Sequence, residues 1–118
     1  MLPAANRMRD SREFSATVRR GRRAARSTLV VHLAGESSDT DAQGGGIRVG
    51  LVVSRAVGKA VVRNRVRRRL RAELARRLGR LPSGARVVVR ANPGSATSSS
   101  RQLGADLDGA LRRLGVGS

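Results

Sequence analysis

Residues 47–79 read IRVGLVVSRAVGKAVVRNRVRRRLRAELARRLG and contain two elements from which the rest of the architecture can be inferred. The first, 47–54, is apolar enough to predict a central β-strand. The second, 60–78, predicts a helix because its apolar residues recur every four positions, and Gly79 ends it. Another β-rich segment follows at 85–90. The order strand–helix–strand predicts a parallel pair of strands within an α/β sandwich.

The predicted helix 60–78 has one apolar side and one cationic side. At about 100° per residue, the apolar stripe consists of Val62, Val66, Leu70, Leu74 and Leu78. The opposite face carries Asn64, Arg65, Arg68 and Arg71, flanked by Arg67 and Arg69. Like charges one turn apart destabilise a helix by about 0.2–0.5 kcal/mol per pair. We interpret this face as a surface for a polyanion. The alternative is a solvated helix, but ordinary solvated faces mix both signs of charge.

The composition of the 118 residues also favours a polyanionic partner. The formal net charge is +17, and residues 55–80 alone contribute +10. RNA, DNA and anionic membrane are the candidate partners. Of the 25 lysine and arginine residues, all except Lys59 are arginine, which fits either codon bias or the suitability of the guanidinium fork for phosphate. The absence of Cys and the single His exclude disulfides, zinc fingers and multi-histidine metal sites. One aromatic residue, Phe14, argues against rows of stacking aromatics.

The flanking sequence supplies the remaining elements of a single domain over residues 1–118. Asp10-Ser-Arg-Glu13 resembles a capping box that opens a helix over 11–20, and Gly21 ends that helix. The further predicted elements are a β-rich run at 28–33, flexible loops at 35–46 and 92–100, and a helix at 101–114 with Leu103, Leu107, Leu111 and Leu114 on one side. Two glycines, Gly104 and Gly109, weaken the propensity of that last helix.

No targeting segment is evident in the sequence. No apolar run approaches the roughly 20 residues of a membrane span. The opening residues MLPAANRMRDSREF lack the apolar stretch of a secretory signal. Together with the absence of Cys, these features predict a cytoplasmic protein.

Residues 48–71 resemble the signature region of the bacterial ribonuclease P protein subunit. The resemblance rests on the triplet Arg63-Asn64-Arg65 within the pattern VSxxxGxAVxR, which is matched by Val53, Ser54, Gly58, Ala60, Val61 and Arg63. The segment NRMRDSREFSATVRRG, residues 6–21, is similar to the opening of the same family. The resemblance covers roughly residues 6–114, with 35–46 variable.

The resemblance implies an α/β (α+β) sandwich with the element order αβββαβα, like the second domain of ribosomal protein S5. It adds a short strand near Arg22–Arg26, where propensity alone indicates none. It also implies that the βαβ crossover through the helix bearing the Arg-Asn-Arg triplet is left-handed, an exception to the usual rule.

The resemblance further implies a function in tRNA maturation. Ribonuclease P removes the 5′ leader of precursor tRNA, and in bacteria its RNA subunit carries the catalysis with bound Mg²⁺. The protein subunit binds that RNA and the leader and thereby assists an RNA enzyme. For this chain we predict no catalytic or metal-binding residues, no cofactor bound by the protein alone, and neither DNA nor membrane as a partner. The scattered acids of this chain agree, because a metal-dependent nuclease site requires clustered carboxylates.

Two binding surfaces follow from the resemblance. The first contacts the catalytic RNA through Arg63, Asn64 and Arg65, is extended by Arg67, Arg68 and Arg71, and has Arg55 and Lys59 at its entry. The second is a cleft for the leader, formed by Phe14, Val18 and His32, with Arg7, Arg9 and Arg90 at its rim. Because Val18 and His32 stand where aromatic residues are common, we expect this cleft to stack less and to depend more on charge and shape.

Structural roles remain open for several of these residues. Arg63 or Asn64 is alternatively a residue that caps or braces the start of the helix. Phe14 is alternatively a core residue, and His32 a tolerated residue of the sheet. Two other protein classes also share the charge pattern. One is a structural RNA-binding module such as a ribosomal protein. The other is a cationic helix on a membrane surface, although the apolar side of 60–78 lacks Trp and Phe.

Overall fold

A computed structural model describes residues 2–35 and 46–116. These residues form three helices and one four-stranded mixed sheet: α1 (Ser11–Arg20), β1 (Arg22–Ala25), β2 (Leu29–Ala34), β3 (Arg48–Val52), α2 (Ala60–Arg77), β4 (Arg86–Ala91) and α3 (Ser100–Arg113). The predicted order αβββαβα is confirmed, including the short strand that the resemblance added. The predicted flexibility of 35–46 falls outside the described residues except at its two ends. The predicted loop 92–100 contains a 3-10 turn, Pro93–Thr97.

The strands are arranged in the order β1-β2-β4-β3, and β3 pairs with β4 in parallel, as predicted. The expectation that the strand in 47–54 is central is wrong, because β2 and β4 occupy the centre and β3 lies at the edge. The N-terminal segment explains why an edge strand is so apolar. Met8 N donates to Val49 O at 2.8 Å, and Arg7 forms a parallel bridge with Val49. This segment therefore covers the edge that β3 would otherwise expose.

The hydrophobic core lies between one face of the sheet and the helices α2 and α3. Strand residues Val31, Val87 and Val89 pack there against the helical residues Val66, Leu70, Leu74, Leu103, Leu107 and Leu111, and all of these are almost fully buried. Val62 and Leu78, at the two ends of the predicted stripe, are only partly buried. The apolar faces of both helices are therefore confirmed. The left hand of the crossover through α2 stays a prediction of the resemblance.

Helix α1 packs on the other face of the sheet. Asp10 caps it, since its Oδ1 accepts a hydrogen bond from Arg12 N at 2.8 Å, and Gly21 ends it. The reciprocal half of the predicted capping box is wrong. Glu13 instead reaches across to the sheet, where its Oε2 lies 2.6 Å from Nε of Arg86. A charge-assisted contact with a buried arginine outcompetes a local contact with the backbone.

Candidate RNA interface

The cationic face of α2 is open to solvent and carries no acidic side chain. Asn64 and Arg68 are exposed, as are Arg55 and Lys59 at the entrance to the helix. The one acid of α2, Glu73, is buried on the other side of the helix. Arg68 makes no hydrogen bond or ion pair within the described part of the chain. Its guanidinium is therefore available to a phosphate without giving up an internal partner.

In the Arg-Asn-Arg triplet, Asn64 is exposed to solvent, whereas Arg63 and Arg65 are partly buried. Arg63 donates from Nε to Gly58 O at 3.1 Å, so the structural alternative for this residue has support. Asn64 lies in the second turn of α2 and its Oδ1 accepts from Arg67 Nη1 at 3.2 Å. The alternative that Asn64 caps the helix is wrong, because α2 begins at Ala60 with Lys59 as its N-cap.

Arg65 and Arg69 point toward the segment that precedes α3. Arg65 Nη2 donates to Ala96 O at 3.1 Å, and Arg69 Nη1 donates to Ser98 O at 2.7 Å. The Nε of Arg65 is buried without a hydrogen-bond partner in the described residues. Arg65 is thus anchored to the fold, and its predicted contact with RNA stays a prediction that depends on its remaining donors.

Gly58 in the VSxxxGxAV pattern has a backbone requirement. Its φ of 153° lies in a region that side chains rarely adopt, and a Cβ there would lie 3.1 Å from side-chain atoms of Val62. The glycine lets the chain turn from the short 3-10 segment Arg55–Val57 into α2, where its carbonyl receives Arg63. The geometry at this position explains why the pattern contains glycine.

A cavity of about 200 Å³ lies where the N-terminal segment, α1, β3 and α2 meet. Its lining residues are Leu2, Arg7, Met8, Arg9, Phe14, Val49, Leu51, Arg67 and Arg71. The lining is therefore apolar with four arginines, and it includes no carboxylate. Burial lowers the pKa of Arg71, and repulsion from Arg7 and Arg67 lowers it further. The cavity is electropositive and poorly compensated, which favours an anion beside an apolar group.

This cavity joins the two predicted surfaces. Phe14, Arg7 and Arg9 from the predicted leader cleft meet Arg67 and Arg71 from the predicted RNA surface. The other three residues predicted for the leader cleft, Val18, His32 and Arg90, do not line the cavity. The leader-cleft residues thus fall into two groups. One lies at the edge of β3, and the other consists of Val18 on α1, His32 on β2 and Arg90 on β4.

The position of Phe14 is fixed by contacts that the sequence analysis missed. Its ring lies directly over Gly50, where any Cβ would collide with the ring. The adjacent Glu13–Arg86 pair ties α1 to the start of β4. Arg86 is buried and also donates from Nη1 to Gly84 O at 2.8 Å and to Gly46 O at 2.9 Å. A sequence signal existed, since an arginine opening a buried strand requires a counter-charge.

The chain matches the family model described as Ribonuclease P over residues 2–115. It belongs to the ribonuclease P protein family. The Ribonuclease P protein component of Streptomyces bikiniensis is 53% identical over 117 residues, covering 97% of this chain and 95% of that relative. The Ribonuclease P protein component of Mycobacterium avium is 51% identical over 118 residues, covering 100% of this chain and 98% of that relative.

Solved structures of ribonuclease P proteins share the fold. A mutant of the Staphylococcus aureus RNase P protein superimposes with a TM-score of 0.82 at 21% identity, covering 96% of this chain and 91% of that one. The RNase P protein from Thermotoga maritima gives 0.72 at 24% identity, covering 87% and 92%. The resemblance read from 48–71 and 6–21 is confirmed, and it replaces the ribosomal-protein interpretation.

The described part of this ribonuclease P family member holds neither a metal-binding cluster nor a membrane-spanning helix. Residues 2–35 and 46–116 contain no group of three or more His, Asp or Glu side chains placed to hold a metal ion. None of the helices in those ranges is long and apolar enough to cross a membrane.

Proposed function

We propose that this chain is the protein subunit of a ribonuclease P holoenzyme that removes the 5′ leader from precursor tRNA. The observation that carries the proposal is the continuity between the acid-free arginine face of α2 and the arginine-walled cavity at Phe14. One continuous surface suits a protein that holds two RNA segments side by side. Membership in the ribonuclease P protein family supports the same assignment.

The α2 face is the proposed contact with the catalytic RNA. A-form RNA hides its base edges in a deep major groove, so proteins recognise its phosphates and its shape. The exposed groups here, Asn64, Arg68, Arg55 and Lys59, are well suited to such contacts. Arg67 and Arg71 lie between this face and the cavity, and we assign them to the junction of the two RNA segments.

The cavity at Phe14 and the adjoining face of the sheet are the proposed contact with the leader. A single-stranded leader offers unstacked bases, which gain stability on an aromatic ring, and phosphates, which pair with arginine. Phe14 supplies the ring, Arg7 and Arg9 supply charge beside it in the cavity, and Arg90 supplies charge on the adjoining face of the sheet. Val18 is half-buried on α1, one turn beyond Phe14, and contributes apolar surface only.

The bond cleavage itself is proposed to belong to the RNA subunit, with Mg²⁺ supplying charge stabilisation at the reacting phosphate. No residue of this chain is assigned to the metal or to proton transfer. The protein contributes binding, and its positive charge screens the repulsion between the two RNA chains. We therefore expect its effect to be greatest where Mg²⁺ is scarce.

Reconstitution tests this proposal. The protein is added to a bacterial ribonuclease P RNA and a precursor tRNA at low Mg²⁺, and release of the 5′ leader is followed. Stimulated cleavage at the mature 5′ end is the expected result. Tight RNA binding without any stimulation would contradict the proposal and leave only a structural RNA-binding role.

Replacing Arg68 by Gln is expected to weaken binding of the RNA subunit with a characteristic salt signature. Removing one arginine–phosphate interaction lowers the magnitude of the log–log salt slope by about 0.7–0.9. Arg65→Gln is the matched variant, because Arg65 lies one turn earlier and is anchored to Ala96. Its slope should change less, and its melting temperature should fall more. A slope that is unchanged in Arg68→Gln would show that this face does not bind RNA.

Replacing Glu13 by Gln is expected to destabilise the domain by about 1.5–3 kcal/mol, as for other hydrogen bonds to charged groups. Glu13 is only partly exposed and holds the buried Arg86, so solvent screens this pair weakly. Because Glu13 precedes Phe14, leader-dependent affinity should fall severalfold.

Arg12→Gln is the control, since the Arg12–Asp10 pair is solvent-exposed at 3.8 Å. Denaturant titration and paired binding assays with leader-bearing and leaderless tRNA measure both effects. Equal behaviour of the two variants would contradict the positioning role of Glu13.

A further inference from the structure

Three basic side chains cross the open face of the sheet next to α1. His32 on β2 is paired with Arg23 on β1 and with Val88 on β4. Arg90 follows Val88 by two residues, so the pleat of the strand directs it to the same face. Arg23 and Arg90 are exposed, and His32 lies between them. The row is therefore two exposed guanidinium groups on either side of an imidazole.

His32 is unusual among the buried side chains of the described residues. It is only 6% exposed, yet its Nδ1 is buried and has no hydrogen-bond partner there. Buried polar atoms in proteins are nearly always paired, and an unpaired one requires an explanation. Here the explanation that fits is a group that arrives from outside.

The charges around His32 are almost entirely positive. The same face of the sheet carries Arg23 of β1, Arg48 of β3, and Arg86 and Arg90 of β4, while α1 carries Glu13 and the exposed Arg12, Arg19 and Arg20. The one carboxylate in this set, Glu13, is paired with Arg86. Burial lowers the pKa of His32, and repulsion from Arg90 and then Arg23 lowers it further. Burial and repulsion therefore both favour the neutral imidazole in the free protein.

We propose that Arg23, His32 and Arg90 form a subsite for one phosphate group of single-stranded RNA. The inference rests on the proposed function and deepens it, because it names the chemical group that this part of the leader cleft binds. At the position of His32, where aromatic residues are common in the family, the cleft would then bind a phosphate and not stack on a base. Arginine is suited to this contact because its planar fork matches the phosphate oxygens.

Binding at this subsite is coupled to a proton. A phosphate between the two guanidinium groups offsets the repulsion that adds to burial in lowering the pKa of His32, so the imidazole takes a proton from solvent when the phosphate binds. By linkage, RNA affinity rises as pH falls from the pKa of His32 in the complex to its lower pKa in the free protein. Above both values the coupling contributes nothing.

His32 is the only histidine of the chain, so its imidazole C–H resonance is assigned without ambiguity, and its pKa can be measured by an NMR titration. The full chain is titrated alone, with a short single-stranded RNA, with the same sequence bearing neutral methylphosphonate linkages, and with inorganic phosphate. The expected result is a rise of about one pKa unit with RNA, which corresponds to a tenfold gain in affinity across the titration. The neutral oligonucleotide should cause no rise.

Variants of the two arginines test whether the RNA-induced rise in the pKa of His32 arises at this subsite. Arg23→Gln and Arg90→Gln should each reduce the RNA-induced rise, and the double variant should abolish it. Arg22→Gln is the control, because Arg22 is the neighbour of Arg23 but is directed to the opposite face, where its Nη2 donates to Leu114 O. A His32 pKa that RNA leaves unchanged, or that rises undiminished in the double variant, would overturn the proposal.

Two further measurements distinguish a failure of this phosphate subsite from a failure of the proposed leader contact. An equal rise with inorganic phosphate alone would overturn the assignment to RNA and show a site for free phosphate. Leader dependence of holoenzyme binding is measured in parallel. If the holoenzyme distinguishes leader-bearing from leaderless tRNA while His32 does not respond, only this subsite fails. If it makes no such distinction, the proposed leader contact fails as well.

Discussion

Arg77→Ala should lower the free energy of unfolding by about 3–5 kcal/mol, because it leaves a buried carboxylate without its partner. Arg77 is 7% exposed and donates from Nη1 to Glu73 Oε1 at 3.0 Å and from Nε to Asp108 Oδ1 at 2.7 Å. Its Nη2 also donates to Gly104 O at 3.2 Å. One side chain thus joins α2 to α3, and Glu73 is equally buried.

Arg76→Ala is the matched control for this prediction. Arg76 is the preceding residue, its side chain is 76% exposed, and it lies 3.9 Å from the other oxygen of Glu73. An exposed pair of this kind contributes about 0–1 kcal/mol. Denaturant unfolding at neutral pH compares the two variants. Similar destabilisation in both would show that the network around Arg77 contributes little to stability.

The same network predicts a pH dependence. The hydrogen bond from Arg77 lowers the pKa of Asp108, so folding is stabilised above the ordinary pKa of a carboxyl group. That stabilisation disappears as pH falls through the lowered pKa. The stability difference between the wild type and Arg77→Ala should therefore shrink in acid, as unfolding curves measured at several pH values would show.

The Arg77 network also explains why α3 contains a glycine. On propensity, Gly104 lowers the stability of a helix. In the structure, a Cβ at this position would lie 2.7 Å from Glu73 Oε1 and 2.9 Å from Arg77 Nη2. A side chain at this position would therefore displace the Glu73–Arg77 pair, an effect that propensity scales omit.

The buried ion pair itself was foreseeable from the sequence. With about 100° per residue, Glu73 and Arg77 fall inside the apolar stripe of α2, on the same side as Val66 and Leu70. They are four residues apart, which suits an ion pair on one helical face. Charged residues within a buried stripe require partners, and the periodicity alone therefore indicates a polar contact there. The identity of the partner on α3, Asp108, depends on tertiary packing and was not accessible.

The strand order, in contrast, could not be predicted from the sequence pattern. Apolar content correctly identified β3 as a strand, but it did not distinguish a central strand from an edge strand covered by another segment. The cover is supplied by Met8 and Arg7, some forty residues away in sequence. Similarly, helical periodicity placed Arg65 and Arg68 on one polar face. It did not show that Arg65 reaches the segment before α3, because that segment has no regular pattern.

Phe14→Ala should weaken leader-dependent affinity by about 1–3 kcal/mol, since one base is deprived of its stacking partner. Phe14 is half-buried, lines the cavity at the edge of β3 and lies over Gly50. The affinity of leaderless tRNA and of the RNA subunit should stay unchanged. Equilibrium binding of the holoenzyme to leader-bearing and leaderless tRNA provides the measurement.

Two companion variants sharpen this prediction. Gly50→Ala keeps the ring of Phe14 but adds a Cβ that must displace it, so leader affinity should fall here too. Val18→Ala removes a half-buried aliphatic side chain one turn away and should affect leader affinity less, because it offers no ring for stacking. If Phe14→Ala instead lowers the melting temperature and weakens binding of leader, leaderless tRNA and RNA subunit alike, Phe14 belongs to the core, and recognition of the leader depends on the arginines of the cleft.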